Sequence, residues 1–240
     1  MDEYDPFAAN TPVPTAARPL LGLTVLVIED SRFACEAMRL LCLRSGARIR
    51  RADCLRSARR HLRTYFPSVV IVDLGLPDGS GNELIAELAR ADPRVGVILG
   101  TSGDLSGEET AMHAGADGFL PKPIVSLAEF QQAVLSRLPK ERQPPGLREL
   151  SDELIEPDRI AFQDDIAHIA TVLEAPADEN TLDYVAQFLG GVARSAQDAN
   201  LEKAVNELAA RRAAGQSTNS EAQNLSMLLQ RRLMQTIASS

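Results

Sequence analysis

The chain has 240 residues, 45% of them hydrophobic and 24% charged, with a net charge of −8. That length allows one large domain or two small ones, each with its own core. The negative balance excludes nucleic-acid binding through the overall field and leaves only a local basic patch for it.

The opening stretch MDEYDPFAANTPVPTAARP begins with acids, is rich in Pro, Ala and Thr, and holds no apolar run. Residues 1–20 are expected to be a disordered arm, neither signal peptide nor membrane anchor. No apolar stretch anywhere approaches the length of a membrane span, so a cytoplasmic protein is expected. Aromatics make up only 4% and Trp is absent, so Leu, Val, Ile and Ala must build the interior. The three cysteines, Cys35, Cys42 and Cys54, lack disulfide or metal spacing and read as small buried thiols.

Short apolar runs then alternate with amphipathic stretches. LTVLVIED is a buried-strand pattern, followed by Ser31 as a cap and a helix through FACEAMRLLCLRSG that stops at Gly46. ARIRRA is a weaker strand, and DCLRSARRHLRTYF is a helix ended by Pro67. PSVVIVDLGLP is a second strong strand running into a Pro-Asp-Gly turn. NELIAELARAD, RVGVILGTSG, SGEETAMHAGA, DGFLPKP and SLAEFQQAVLSRL continue as helix, strand, helix, strand and helix. Five such repeats predict an α/β fold over residues 21–139, a doubly wound five-stranded parallel sheet covered on both faces. Its functional edge would be the carboxyl ends of the strands.

KERQPPG, residues 140–146, reads as a linker. Residues 147–240 show no convincing strand but four helical stripes. These are Ile166, Ile169, Ala170 and Leu173; then Leu182, Val185, Leu189 and Val192 beside Tyr184 and Phe188; then Leu201, Val205 and Leu208. After the turn GQSTNS come Leu225, Leu228, Leu229, Leu233 and Ile237. This predicts an all-α helical bundle, the output or interaction domain. Its last, leucine-rich helix offers a surface for a homodimer.

Polar residues stand at strand ends where a purely structural strand would avoid them. Glu29 and Asp30 end the first strand, Asp73 ends VVIV, Thr101 ends the fourth, and Lys122 lies between two prolines at the fifth. A doubly wound sheet brings all of these to one edge. Crowded carboxylates repel unless a cation lies between them, and hard oxygen ligands suit Mg²⁺. An aspartate beside a metal and a lysine is a good phosphoryl acceptor, because the cations offset charge on the transferring group.

VLVIED, DLGLPDGSG, VILGTSG and GADGFLPKP, in that order and spacing, resemble the receiver domain of two-component response regulators over residues 23–138. The resemblance implies a phospho-acceptor at Asp73. It implies Mg²⁺ held by Glu29, Asp30, Asp73 and the Gly75 carbonyl. Lys122 and Thr101 would contact the phosphoryl oxygens, and Phe119 would turn inward when Thr101 moves. The Lys122–Pro123 bond would be cis, and the phosphodonor a cognate histidine kinase or phosphotransfer protein. Three departures stand out: Gly100 replaces the usual apolar residue and is expected to loosen its strand, Phe119 replaces the commoner Tyr, and Gly75 and Gly103 present no side chains beside the acceptor.

For the output, residues 147–240 carry fifteen acids against eight Lys and Arg, which opposes DNA binding; only Arg211–Arg212 and Arg231–Arg232 approach a basic cluster. No enzymatic output motif is visible. The stretch from Gln187 to Leu201 is similar to the central helix of histidine phosphotransfer domains, with Gln187 where the phosphorylated His would be. A protein partner of the helical domain is expected, with a DNA-binding regulator or a phosphate sink or relay as alternatives. Arg48, Arg50, Arg51, Arg56, Arg59, Arg60 and Arg63 crowd the second strand and helix as an interaction patch for an acidic surface, against the plain alternative of a solvated face.

Overall fold

The computed structural model describes residues 12–104, 106–145, 151–174 and 178–237, with side chains described to residue 234. Residues 1–11 of the expected arm, residues 146–150 and the Ile237 side chain lie outside these. By its contacts the chain divides into two compact units. One comprises Met1–Asp30 with Ala34–Pro157, the other Ser31–Phe33 with Asp158–Ser240.

The first unit has a five-stranded parallel sheet in the order β2-β1-β3-β6-β7. Its strands are β1 Thr24–Ile28, β2 Arg48–Ala52, β3 Val69–Asp73, β6 Val97–Ser102 and β7 Gly118–Pro121. Between β3 and β6 a two-stranded hairpin, β4 Gly75–Leu76 and β5 Gly79–Ser80, forms where the sequence shows only a turn. The helices are α1 Arg32–Ser45, α2 Leu55–Thr64, α3 Gly81–Ala89, α4 Gly107–Ala114 and α5 Leu127–Leu135.

Strand alternation sends successive residues to opposite faces, so each central strand feeds two cores. Val69 and Ile71 of β3 pack with Met38, Leu41, Phe130 and Val134, from α1 and α5. Val70 and Val72 pack with Leu55, Ala58, Leu84 and Ile85, from α2 and α3. Every residue of β3 is buried, which is why its sequence is a continuous apolar run ending in one acid. The chain reverses its build direction between β1 and β3, and their carboxyl ends frame the crevice there.

The arm's last residue in the sequence reading, Leu20, is fully buried, and its amide donates to the Ser45 carbonyl at 2.9 Å. Residues 151–157, on the helical side of the boundary read from composition, pack with the first unit through Ile155. Cys35 and Cys42 are buried and in no disulfide, as their spacing suggested, and burial pushes the Cys42 thiol up to about 12. Cys54 is half-buried and likewise in no disulfide.

The second unit contains α6 Arg159–Val172, α7 Glu179–Ser195, α8 Ala199–Ala213 and α9 Asn219–Ile237. The predicted stripes meet in one core: Ile166 and Ile169, Val185, Leu189 and Val192, Leu201, Val205 and Leu208, Leu225 and Leu229. Asp158, Asp178 and Asp198 cap the starts of α6, α7 and α8 by accepting from backbone amides at 2.8–3.0 Å. Two expectations change. Leu225 and Leu229 are spent in the unit's own core, so the leucine face proposed for a homodimer is not a free stripe. The stretch Gln187–Leu201 is not one helix: α7 ends at Ser195, Gln197 adopts a left-handed φ of 54°, and α8 starts at Ala199.

Candidate functional site

The strand order brings the predicted polar residues to one edge of the first unit. Glu29 and Asp30 follow the last residue of β1, and the Glu29 amide donates to the Ala52 carbonyl at 2.9 Å. Asp73 closes β3, and its register partner on β6 is Thr101. Lys122 follows β7 and donates its amide to the Ser102 carbonyl at 2.9 Å. The Lys122–Pro123 bond is cis, as expected.

Glu29, Asp73 and Thr101 are 2%, 6% and 1% exposed, a costly location for polar groups unless they serve one another or a ligand. One carboxylate oxygen each from Glu29, Asp30 and Asp73 lies within 4.8 Å of the others. The Lys122 Nζ reaches Asp73 Oδ2 at 2.8 Å and Glu29 Oε2 at 2.7 Å. One ammonium therefore bridges two of the three clustered carboxylates. Burial, helped by the charges of Asp73 and Asp30, pushes the Glu29 carboxyl up to about 8 against the pull of Lys122. Burial opposes the charge on Lys122, yet Asp73 and Glu29 outweigh it and hold the ammonium above its ordinary range. The Thr101 Oγ1 is buried and has no hydrogen-bond partner among the described residues. A buried hydroxyl beside a carboxylate–lysine pair is able to donate to an anionic oxygen.

The donor set fits a hard divalent cation. Three clustered carboxylates with a net negative surplus supply the oxygen ligands that Mg²⁺ takes.

Two supporting residues carried weaker signals in the sequence. Gly81 is required because a Cβ there would come within 2.0 Å of the Asp73 carbonyl oxygen. Asp78, exposed in the Pro-Asp-Gly turn, accepts from Leu55 N at 2.7 Å and Arg56 N at 2.9 Å, so it caps α2 across the loop. Asp78 was legible as part of the Pro-Asp-Gly turn but not as a cap of α2, and Gly81 was legible only as the last residue of DLGLPDGSG, not as a neighbour of β3. Gly75 opens the hairpin, and its amide lies 3.4 Å from Asp73 Oδ1.

Gly100 does not loosen its strand. It pairs in register with Val72 on one side and Phe119 on the other, and a Cβ there would meet the Ala111 Cβ at 2.6 Å. Its bareness lets α4 lie close to β6.

A family model described as the response regulator receiver domain matches residues 25–135. These residues are a receiver domain. The KDP operon transcriptional regulatory protein KdpE of Escherichia coli is 30% identical over 135 residues, covering 55% of this chain and 60% of that one. The transcriptional regulatory protein KdpE of Mycobacterium tuberculosis is 33% identical over 143 residues, covering 60% and 61%. The matched stretches thus span about three fifths of those curated relatives. A crystal structure of a CheY-like receiver domain protein from Methanospirillum hungatei is 20% identical with a TM-score of 0.44, covering 50% of this chain and 95% of that one.

The seven arginines do not form one continuous patch. On the edge strand β2, Arg48 and Arg50 share the face of Ala52, which packs with α2, whereas Arg51 shares the opposite face with Ile49. Arg56, Arg60 and Arg63 are exposed on α2. Arg59 is engaged by Glu87 of α3 through two bonds of 3.1 and 2.7 Å, which raises the guanidinium and lowers the carboxyl from their ordinary values. His61 and His168 make edge-on ring contacts with Tyr65 and Phe188, and none of the three histidines enters the site.

Proposed function

We propose that this chain accepts a phosphoryl group on Asp73 from a histidine kinase or phosphotransfer protein and relays the signal in the cytoplasm through protein contacts of its helical unit. The observation that carries this reading is the Lys122 ammonium held between Asp73 and Glu29 beside a third carboxylate. An Asp73 oxygen attacks the phosphorus of a phosphohistidine, the P–N bond breaks, and the imidazole keeps the electron pair and takes a proton. Lys122 stays within reach of Asp73 and offsets charge on the transferred oxygens, while the Thr101 hydroxyl donates to one of them. Glu29, Asp30, Asp73 and the Gly75 carbonyl would hold Mg²⁺, which supplies further neutralisation of the phosphoryl charge. Incubating the full chain with acetyl phosphate should add one phosphoryl mass only with Mg²⁺, and Asp73→Asn should remove it. Unchanged labelling in that variant would defeat the reading.

A second reading, transcription control by DNA binding, is favoured by the relatives' names as transcriptional regulatory proteins. Against it, three of the four arginines that approach a basic cluster in the helical unit are already paired. Arg211 meets Glu221 at 2.8 Å, Arg212 meets Asp183 at 2.7 Å, and Arg232 meets Asp198 at 2.5 Å. Phosphate binding would have to break these pairs in an acidic surrounding. A gel-shift screen on genomic fragments, with the chain loaded with Mg²⁺ and beryllofluoride, should show no retarded band. The exposed arginines Arg48, Arg50, Arg56, Arg60 and Arg63 are the surface we assign to an acidic protein partner, whose binding should weaken as salt rises.

A further inference from the structure

Gly100 and Gly107 share a neighbour. A Cβ on Gly100 would lie 3.3 Å from Phe119 Cδ2, and a Cβ on Gly107 would lie 3.1 Å from Phe119 Cζ. The same Gly107 position would also meet Ser102 Cβ at 2.9 Å and Leu74 Cδ1 at 3.4 Å. Neither glycine has a positive φ, so backbone conformation does not call for glycine at either place. Space does. Phe119 is half-buried: one end of its ring rests against β6, the other beneath the start of α4, packed against the core that contains Ile85 and Ala111.

Phe119 completes the logic. It has no hydroxyl, so seating its ring against this core leaves no polar group to satisfy. Turning the ring outward would expose its apolar face and leave the space beside two bare glycines unfilled, forfeiting dispersion contacts on both sides. We propose that Gly100 and Gly107 are positioning residues that keep the Phe119 ring seated under α4 whether or not Asp73 carries a phosphoryl group. The outer surface of α4 and β7 is then set by the two glycines, and the inward turn that the resemblance implied for Phe119 does not accompany phosphorylation. The inference rests on the phospho-acceptor reading only for its comparison of the two forms of Asp73.

The test is NMR of the full chain with ring-labelled phenylalanine, the Phe119 signal being assigned by its loss in Phe119→Leu. A soluble paramagnetic chelate reports ring exposure, before and after addition of Mg²⁺ with beryllofluoride as the phosphoryl mimic. The Thr101 amide, which reports occupancy, should shift on addition, while the protection of the Phe119 ring should stay the same. Gly100→Ala should raise the paramagnetic relaxation of that ring several-fold, and Gly100→Ala/Ala111→Gly should restore the protection, because the second change removes the methyl that the first one meets. Gly107→Ala gives the same reading from the other end of the ring if Gly100→Ala does not fold. A ring exposed without the mimic and protected with it would overturn the proposal, as would unchanged protection in the glycine variants. A Thr101 amide that never responds would instead defeat the phospho-acceptor reading, and the ring's protection in the chain without the mimic would still decide the slot.

Discussion

The two units use their polar side chains differently. In the helical unit they mostly serve the fold: Asp158, Asp178 and Asp198 cap helices, and Arg212 and Arg232 close ion pairs with Asp183 and Asp198. In the receiver domain Glu29, Asp30, Asp73, Thr101 and Lys122 are gathered at strand ends, three acids to one ammonium. Charge that the fold does not need is charge kept for a ligand or a reaction. That contrast makes the function of one unit readable and leaves the other readable mainly as architecture.

The largest effect should come from removing the Lys122 ammonium from the receiver site. Lys122→Met leaves Glu29 and Asp73 buried without it, which should cost about 3–5 kcal/mol of stability in metal-free buffer. Thermal unfolding with and without Mg²⁺ checks this, the metal recovering part of the loss; a variant as stable as the parent would break the contrast. In the helical unit the equivalent blow is to packing. Leu189→Ala, at a fully buried position, should cost about 2–5 kcal/mol in that unit's unfolding while Mg²⁺-dependent labelling of Asp73 persists.

The Glu29 carboxyl sharpens the comparison through pH. Its folded value, about 8, is raised above the ordinary 4.5, so its contribution to stability is full below about 4.5 and lost as pH rises through about 8. Because Mg²⁺ competes with that proton, apparent Mg²⁺ affinity should rise with pH up to about 8, by at most ~10-fold per pH unit. Calorimetric titration at several pH values reads it, and a flat profile would contradict it. The smallest effect is a cap. Asp78→Ala should cost roughly 1 kcal/mol by freeing the first amides of α2, seen as a lower urea midpoint with unchanged Asp73 labelling.

The receiver fold and its site were legible because each strand is a short apolar run ending in a chemically distinctive residue, and strand order fixes where those ends go. What escaped the sequence were relations across the fold. Gly100 looked like a weakness until Ala111 was seen against it. Asp78 looked like a plain turn residue until its oxygens met the amides of α2. The arginines looked like one patch because a sequence does not separate the two faces of an edge strand from a helix beside it. In the helical unit periodicity located the four helices, but it could not tell that Leu225 and Leu229 face inward rather than toward a second copy. Nor could it show the break after Ser195 that divides the stretch from Gln187 to Leu201.

The most direct measurement of the central claim is to find where the phosphoryl group sits. The full chain, treated with acetyl phosphate and Mg²⁺, is reduced with borohydride, which converts an acyl phosphate on aspartate to homoserine, and its peptides are then weighed. The account predicts homoserine at position 73, and none when Mg²⁺ is withheld. Homoserine elsewhere, a phosphorylated histidine, or an unmodified Asp73 under conditions that label the chain would contradict it.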